Sequence, residues 1–275
     1  MSTHRSPFAG AILLAAGLAA SSPMPSRAQA DADAWKWELA VYGWFPGISA
    51  TTSFPTGASG PSIDISADSV IDALKFAAMG SFGGKKGKWG FWSDFVYSDV
   101  GGSKQQSRDF SLGGQGIPAN LSANLVLDMK SVFWTMAGTY ELAATPANTT
   151  DLLFGARLAD IRETLSWSVN GSIAGTGLPG QSGSVQVDMS NWDAIVGVKG
   201  VAYLDAERRW LVPYYLDIGT GQSQFTWQAN LGIGYRFDWG ATVLSWRYLD
   251  YEMKSGVPIQ SMSMSGPLLG LAWRW

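Results

Sequence analysis

The chain has 275 residues, 46% of them apolar and only 15% charged, with 19 Lys and Arg against 22 Asp and Glu. Soluble domains carry roughly 25% charge, so much of this surface is not built to face water, and the slightly acidic balance offers no footing for nucleic acid. The absence of cysteine excludes disulfides, thiolate metal sites, a Cys nucleophile and a Cys for lipid attachment.

At the N-terminus Arg5 precedes an unbroken run of 13 apolar and small residues, Phe8–Ala20. Ala28-Gln29-Ala30 follows with the small-x-small form of a signal-peptidase site. The reading is a signal peptide over residues 1–30, with Ala28 and Ala30 as the small residues of the site and cleavage after Ala30, and one domain over residues 31–275. The run is too short for a spanning helix, and no later stretch approaches the roughly 18–20 apolar residues that one needs. Cleavage leaves 17 basic against 22 acidic residues, a net charge of about −5. An exported, apolar-rich chain without a long apolar run is either a soluble β-sandwich or a barrel whose hydrophobicity is hidden in alternation. Fourteen Trp and nine Tyr favour the barrel, because amphipathic rings gather where membrane meets water.

Period-two alternation predicts ten strands, with eight or twelve as the alternatives. In chain order they lie near Trp35–Trp44, Leu74–Gly83, Lys88–Ser98, Leu121–Leu142, Asp151–Trp167, Val185–Tyr203, Arg209–Ile218, Ser223–Phe237, Ala241–Tyr251 and Ser261–Trp275. The pattern is cleanest from Thr226 to Phe237, where Trp227, Ala229, Leu231, Ile233, Tyr235 and Phe237 share one face. Thr226, Gln228, Asn230, Gly232, Gly234 and Arg236 share the other. An apolar face with aromatics at both ends suits a lipid-facing strand.

Connections alternate in length. Gly84–Gly87, Ala143–Thr150, Leu204–Arg208 and Asp238–Gly240 are short, whereas Pro46–Ala73, Asp99–Asn120, Ser168–Ser184 and Glu252–Gln260 are longer and rich in Gly, Ser and Pro. Gly219–Gln222 is the exception, a short connection where a long one is expected. The fold expected is therefore all-β, a single antiparallel transmembrane up-and-down barrel with both termini at the short-turn end. Inside the first long loop, Ser69-Val70-Ile71-Asp72-Ala73-Leu74 predicts a short helix capped by Asp68 or Ser69 and lying as a surface turn. Leu269, Leu271, Trp273 and Trp275 fall on one face of the last strand. They resemble the terminal-aromatic assembly signal that barrel-assembly machinery reads on the last strand of barrel proteins.

Several segments are similar to those of a known family: Tyr42-Gly43-Trp44-Phe45-Pro46-Gly47, Gly87-Lys88-Trp89-Gly90-Phe91, Gly155-Ala156-Arg157 and Gly232-Ile233-Gly234-Tyr235-Arg236-Phe237. Trp246-Arg247-Tyr248-Leu249-Asp250-Tyr251 and Gly266-Pro267-Leu268-Leu269-Gly270 extend the likeness along nearly the whole mature chain. In this order they resemble a widespread, uncharacterised Gram-negative outer-membrane β-barrel protein family. The resemblance implies a barrel in the cell outer membrane and supplies no catalytic residues. Lys199 departs from it, standing where that family has an arginine, which puts a forked ion pair there in question.

The inward faces are expected to hold Lys36, Glu38, Lys75, Asp94, Glu141, Arg157, Asp193, Lys199, Asp217, Arg236, Arg247 and Arg274, seven basic groups against five acidic. Unpaired charge in a confined space is costly, so these groups should pair across the lumen, with Asp193 and Asp217 as partners of Arg236 and Arg247. The network is either a plug or a narrow path for small polar solutes and ions. Ten strands lie just above the size whose interior side chains can fill. The only histidine, His4, leaves with the signal peptide, which removes Ser–His and Asp–His mechanisms and His-based zinc sites. An enzyme is not expected, nor is any cofactor or metal. Asp64 and Asp68 lack the spacing of a calcium loop, and Gly113-Gly114-Gln115-Gly116 lacks a strand-to-helix setting for phosphate. The partners expected are outer-membrane lipid, the assembly machinery and small polar solutes, for a monomer without nucleic acid. Loops Pro46–Ala73 and Ser168–Ser184 carry the alternative of a surface-binding or adhesion barrel.

Overall fold

The computed structural model describes residues 34–52, 62–104, 111–112, 115–116, 121–173, 176–177, 181–255 and 259–275. The expected signal peptide, with Ala28 and Ala30, lies outside these residues, as do Gly113 and Gly114.

The elements are β1 (Lys36–Trp44), β2 (Gly47–Thr52), β3 (Ser62–Ile65), α1 (Ala67–Ala73), β4 (Leu74–Lys86), β5 (Trp89–Lys104), β6 (Ser111–Leu112) and β7 (Gln115–Gly116). They continue with β8 (Leu121–Ala144), β9 (Asn148–Ile173), β10 (Thr176–Gly177), β11 (Gln181–Tyr203), β12 (Trp210–Gly221), β13 (Ser223–Arg236), β14 (Ala241–Met253) and β15 (Ile259–Arg274). Ten of these strands, in the order β1-β4-β5-β8-β9-β11-β12-β13-β14-β15, form an antiparallel sheet that closes when β15 pairs back onto β1. Closure runs in register from Glu38↔Arg274 to Trp44↔Leu268 and leaves this wall no open edge at the turn end. The expected ten-strand count and closed topology are what the chain forms. Among the described residues, no helix is long and apolar enough to cross a membrane.

Alternation dictates which side chains are enclosed. On β14, Ser245, Leu249 and Tyr251 are buried in the lumen while Leu244 and Trp246, 55% and 57% exposed, point outward. The outward band between the barrel ends is apolar, with Leu39, Val41, Val196, Leu216, Leu231, Ile233, Leu244 and Leu269 all exposed. Two aromatic belts flank it. At the turn end Trp35, Trp37, Phe82 and Phe91 pack together, as do Trp210, Tyr235 and Phe237. Nearer the loop end lie Phe76 with Tyr97 and Trp227 with Tyr248. Eight residues separate Trp227 from Tyr235, about 26 Å along a strand rising roughly 3.3 Å per residue, which suits a bilayer core crossed at a tilt.

The turns show their own chemistry. Gly87 adopts a φ of 59° between β4 and β5, a left-handed conformation that costs glycine nothing. Arg208 takes a φ of 57° without that freedom. Its turn is held by the Asp205 carboxylate, which accepts from the backbone N–H groups of Arg209 at 3.0 Å and Trp210 at 2.7 Å. The first strand is interrupted where Pro46 lacks an N–H. β1 stops at Trp44, Phe45 N donates to Pro267 O at 3.0 Å, and β2 resumes along the same neighbour, β15.

Three expectations are corrected. The strands run further at the loop end: β9 and β11 pair as far as Val169↔Gln181, consuming much of the expected Ser168–Ser184 loop. Adjacent strands that satisfy each other's backbone groups override a Gly/Ser-rich composition. The helix is capped by Ser66, whose side chain accepts from Ser69 N at 3.4 Å, and not by Asp68 or Ser69. Nor is it a surface turn. Val70 is buried in the apolar cluster that contains Trp44, Ile48, Val96 and Val100, so α1 packs against the inner wall. Val70 is the residue that α1 turns inward, and burial of a Val contributes roughly 1.5–3 kcal/mol.

Candidate functional site

The interior divides into three layers. Towards the loop end the lumen is filled by apolar side chains, with Trp44, Phe133, Ile161, Leu249, Tyr251, Met262 and Met264 all buried. Phe133 and Tyr251, on different sides of the barrel, stack at 6.3 Å.

The middle layer is charged and buried. Arg157 is fully buried and donates through Nη2 to Asp217 Oδ2, with both side chains 0% exposed. Its Nε and Nη1 reach Thr135 Oγ1 at 3.3 Å and Thr226 Oγ1 at 3.4 Å, and the Tyr215 hydroxyl donates to the same Asp217 oxygen. Arg157 lies in register with Asp193 on β11, yet its carboxylate partner is one strand further, on β12. Gly197 lies between, and a Cβ there would stand 2.7 Å from Asp217 Cβ. A bare backbone at this position is what leaves Asp217 its place.

The second buried pair is Arg247 with Asp94, Nη2 to Oδ2 at 2.7 Å. Arg247 also donates to Gln228 Oε1 at 3.0 Å and to the Tyr42 hydroxyl at 2.9 Å, and Tyr42 donates in turn to Asp94 Oδ1 at 2.5 Å. Its guanidinium lies 4.8 Å from the centre of the Trp44 ring, joining the charged layer to the apolar one. Ion pairs in low dielectric persist only when charge is matched and hydrogen-bonded; both pairs are matched charge for charge, while Asp217 Oδ1 and Arg247 Nε are left without a hydrogen-bond partner.

Towards the turn end the lumen widens into a vestibule of about 590 Å³ whose ceiling includes Arg247 and Asp94. Lys199 donates to Glu38 and lies 5.0 Å from the centre of the Trp92 ring, while Arg274 Nη2 is 3.6 Å from the other Glu38 oxygen. Arg236 Nη2 and Arg274 Nη1 both donate to the Tyr203 hydroxyl, at 3.2 and 3.4 Å. Near the rim, Lys85 Nζ bridges Glu141 at 2.5 Å and Asp151 at 2.8 Å.

Of the charged residues singled out from the sequence, Arg157 meets Asp217, Arg247 meets Asp94, and Glu38 meets both Lys199 and Arg274. Glu141 finds Lys85. The pairing of Asp193 and Asp217 with Arg236 and Arg247 is corrected: Arg236 finds a phenol, and Asp193 Oδ1 accepts from the backbone N–H of Ser223 at 2.9 Å, pinning the tight β12–β13 turn. Lys75 is not a lumen residue. A bulge between Leu74 and Phe76 puts it beside exposed Asp128, 2.6 Å away at the loop end. Lys36 is exposed at the turn end. The single-lysine contact to Glu38 at position 199 is a point-charge interaction, not a forked one. Residues that sequence reasoning passed over are Tyr42, Tyr203, Tyr215, Gln228, Lys85 and Asp151. All but Lys85, which the expected Gly84–Gly87 turn hid, share the inward parity of residues that it did select, and that parity was the available signal. Among the described residues, no group of three His, Cys, Asp or Glu could hold a metal ion; the Asp64 side chain lies outside what is described. Leu269, Leu271 and Trp275 are exposed on the outer face of β15.

No protein-family model matches the sequence, and no curated protein does. Among solved structures the chain is similar to the outer membrane protease OmpT from Escherichia coli, with 11% identity over 88% of this chain and 97% of that chain and a TM-score of 0.52. It also aligns with the translocator domain of autotransporter NalP from Neisseria meningitidis, 11% identical over 88% of each chain with a TM-score of 0.40. Ail of Yersinia pestis aligns at 9% identity over 88% of this chain and 99% of that one, with a TM-score of 0.31. The OmpT likeness is one of fold: an antiparallel barrel of outer-membrane type.

Proposed function

We propose that this protein is a monomeric outer-membrane barrel with a closed lumen, serving a structural role rather than acting as an open porin. One observation carries the reading. Among the described residues, Phe133, Leu249 and Tyr251, and Arg157 and Asp217 beneath them, are all buried to within 2% of full enclosure and stack across the interior. Neither an apolar constriction nor a matched ion pair offers a hydrated path. The exposed apolar band between two aromatic belts supports the membrane location, and the signal-like residues 1–30 support export. In this orientation the short turns, the start of β1 and the end of β15 face the periplasm. Leu269, Leu271, Trp273 and Trp275 on the last strand present the assembly signal.

Planar-bilayer recording of the purified, refolded protein tests the closed lumen. The expected result is a silent, heat-modifiable barrel; a stable ohmic conductance overturns the reading. Fractionation tests the location, and recovery of the mature chain in the soluble periplasm rejects it.

A second reading, surface binding through the loop end, is favoured by strand length. β8, β9 and β11 have 24, 26 and 23 residues, against the roughly 9–11 that cross a bilayer. They continue past Trp134 and Trp192 into outward-facing Asp128, Lys130, Asp160, Arg162 and Asp188, a polar projecting sheet. Loss of cell-surface attachment on shortening these strands, with the barrel still folded, would favour it. The absence of histidine after His4 supports neither reading over the other but weighs against an enzyme.

A further inference from the structure

We infer that the turn-end vestibule is a binding site for a small organic carboxylate with an apolar body, and that Arg236 and Arg274 hold its anionic end. The inference begins with charge. Arg247 is matched by Asp94, and Lys199 by Glu38. Arg274 has only the far side of that same Glu38, at 3.6 Å, and among the described residues Arg236 has no ion pair. Asp238, which also lines the mouth, interacts with Arg209 outside it.

The two guanidiniums nevertheless converge. Both donate to one neutral oxygen, the Tyr203 hydroxyl, at 3.2 and 3.4 Å. A third, that of Arg208, lies 5.3 Å from the centre of the Tyr203 ring, on which Arg236 also sits at 5.2 Å. Cations gathered on a neutral acceptor repel one another, and Glu38, 3.6 Å from Arg274 and shared with Lys199, offsets only part of that. A carboxylate placed between the planar forks of Arg236 and Arg274 would relieve that repulsion and accept charge-assisted hydrogen bonds.

The rest of the cavity sets the body of the ligand. Beside Tyr203 the wall is apolar, made by Val201, Leu211, Ala241 and Val243. A mostly apolar concavity of about 590 Å³ with a few convergent polar groups has the size and character of a small-molecule site. The Arg247–Asp94 layer closes its far end, so a ligand enters and leaves from the turn end and does not cross the barrel. Entry from the turn end alone rests on the closed-lumen reading, whereas binding does not, since the vestibule could bind nothing and the lumen still be sealed.

The test uses the refolded full barrel in zwitterionic phospholipid nanodiscs and fluorine NMR with 4-(trifluoromethyl)benzoate. The neutral amide and the cationic benzylamine of the same shape are the comparison probes. The expected result is benzoate binding at least tenfold tighter than either. The variant Arg236→Gln/Arg274→Gln should lose that preference, whereas Lys130→Gln at the loop end should retain it. Should the double variant not fold, Val243→Trp fills the cavity with both arginines present and should likewise abolish binding. Equal affinity for benzoate and its amide overturns the proposal, as does benzoate binding that survives in a folded double variant or in Val243→Trp.

Discussion

Arg157 on β9 passes by Asp193, the carboxylate in register with it on the adjacent strand, and pairs with Asp217 one strand further on. Neither member of the pair is exposed to solvent. Removing one partner strands the other charge in the sealed layer. Asp217→Leu alone is therefore expected to cost about 3–5 kcal/mol, measured by urea unfolding in phospholipid vesicles. Arg157→Met combined with Asp217→Leu should recover most of that loss, because a matched apolar pair leaves no buried charge. If the double variant is as unstable as the single one, the pairing is not what the layer depends on.

Gly197 tests the same layer through space rather than charge. A side chain there would overlap Leu216 O and the Asp217 backbone, and neither is a flexible end that can swing aside. Gly197→Val should destabilise by at least the roughly 1–3 kcal/mol of ordinary overpacking. Its unfolding midpoint can be compared with Gly87→Ala, which adds a methyl in open space at a left-handed φ and should cost only about 1–2 kcal/mol. A Gly197→Val barrel of native stability would mean that Asp217 has another place to go.

The lipid-facing band can be separated from ordinary surface by depth. Leu231 is 62% exposed in mid-strand, and Phe237 is exposed at the turn-end belt. In a bilayer Leu231→Lys should cost about 2–4 kcal/mol and Phe237→Lys about 0–1 kcal/mol. On a water-facing surface both changes would lie within roughly 0.5 kcal/mol of zero. Equal, small effects in vesicles would reject a membrane-spanning barrel.

The position of α1 predicts a contrast between neighbours. Val70 is 7% exposed against the inner wall and Ile71 is 46% exposed. Val70→Asp buries an unpaired carboxylate beside Trp44 and should release the helix, which limited proteolysis of the folded barrel would register as new cleavage near residues 66–74. Ile71→Asp should leave the digestion pattern unchanged. Identical patterns for the two variants would return α1 to the surface.

Local sequence was a good guide to the wall and a poor one to its contents. The two-residue period is a property of each strand alone, so Trp227 through Phe237 declares its inner and outer faces before any neighbour is known. Gly87 and the short 237–240 turn likewise mark one end without help from the fold. Inward parity thus identified Arg157, Asp217, Asp94 and Arg247 as lumen residues. Their partners were not legible, because Arg157 and Asp217 are 60 residues apart and Arg247 and Asp94 are 153 apart. Which inward groups meet depends on strand stagger around the closed ring, and no single strand encodes that stagger. The bulge that turns Lys75 out, the seat of Val70 inside the wall and the meeting of Arg236 with Arg274 at Tyr203 have the same origin. The sequence by itself determined that this chain makes an antiparallel barrel of about ten strands with charge inside, and the closed sheet fixed the count at ten. Only closure of the ring decided which of these charges meet in buried pairs across the middle and that Arg236 and Arg274 converge in a vestibule below them.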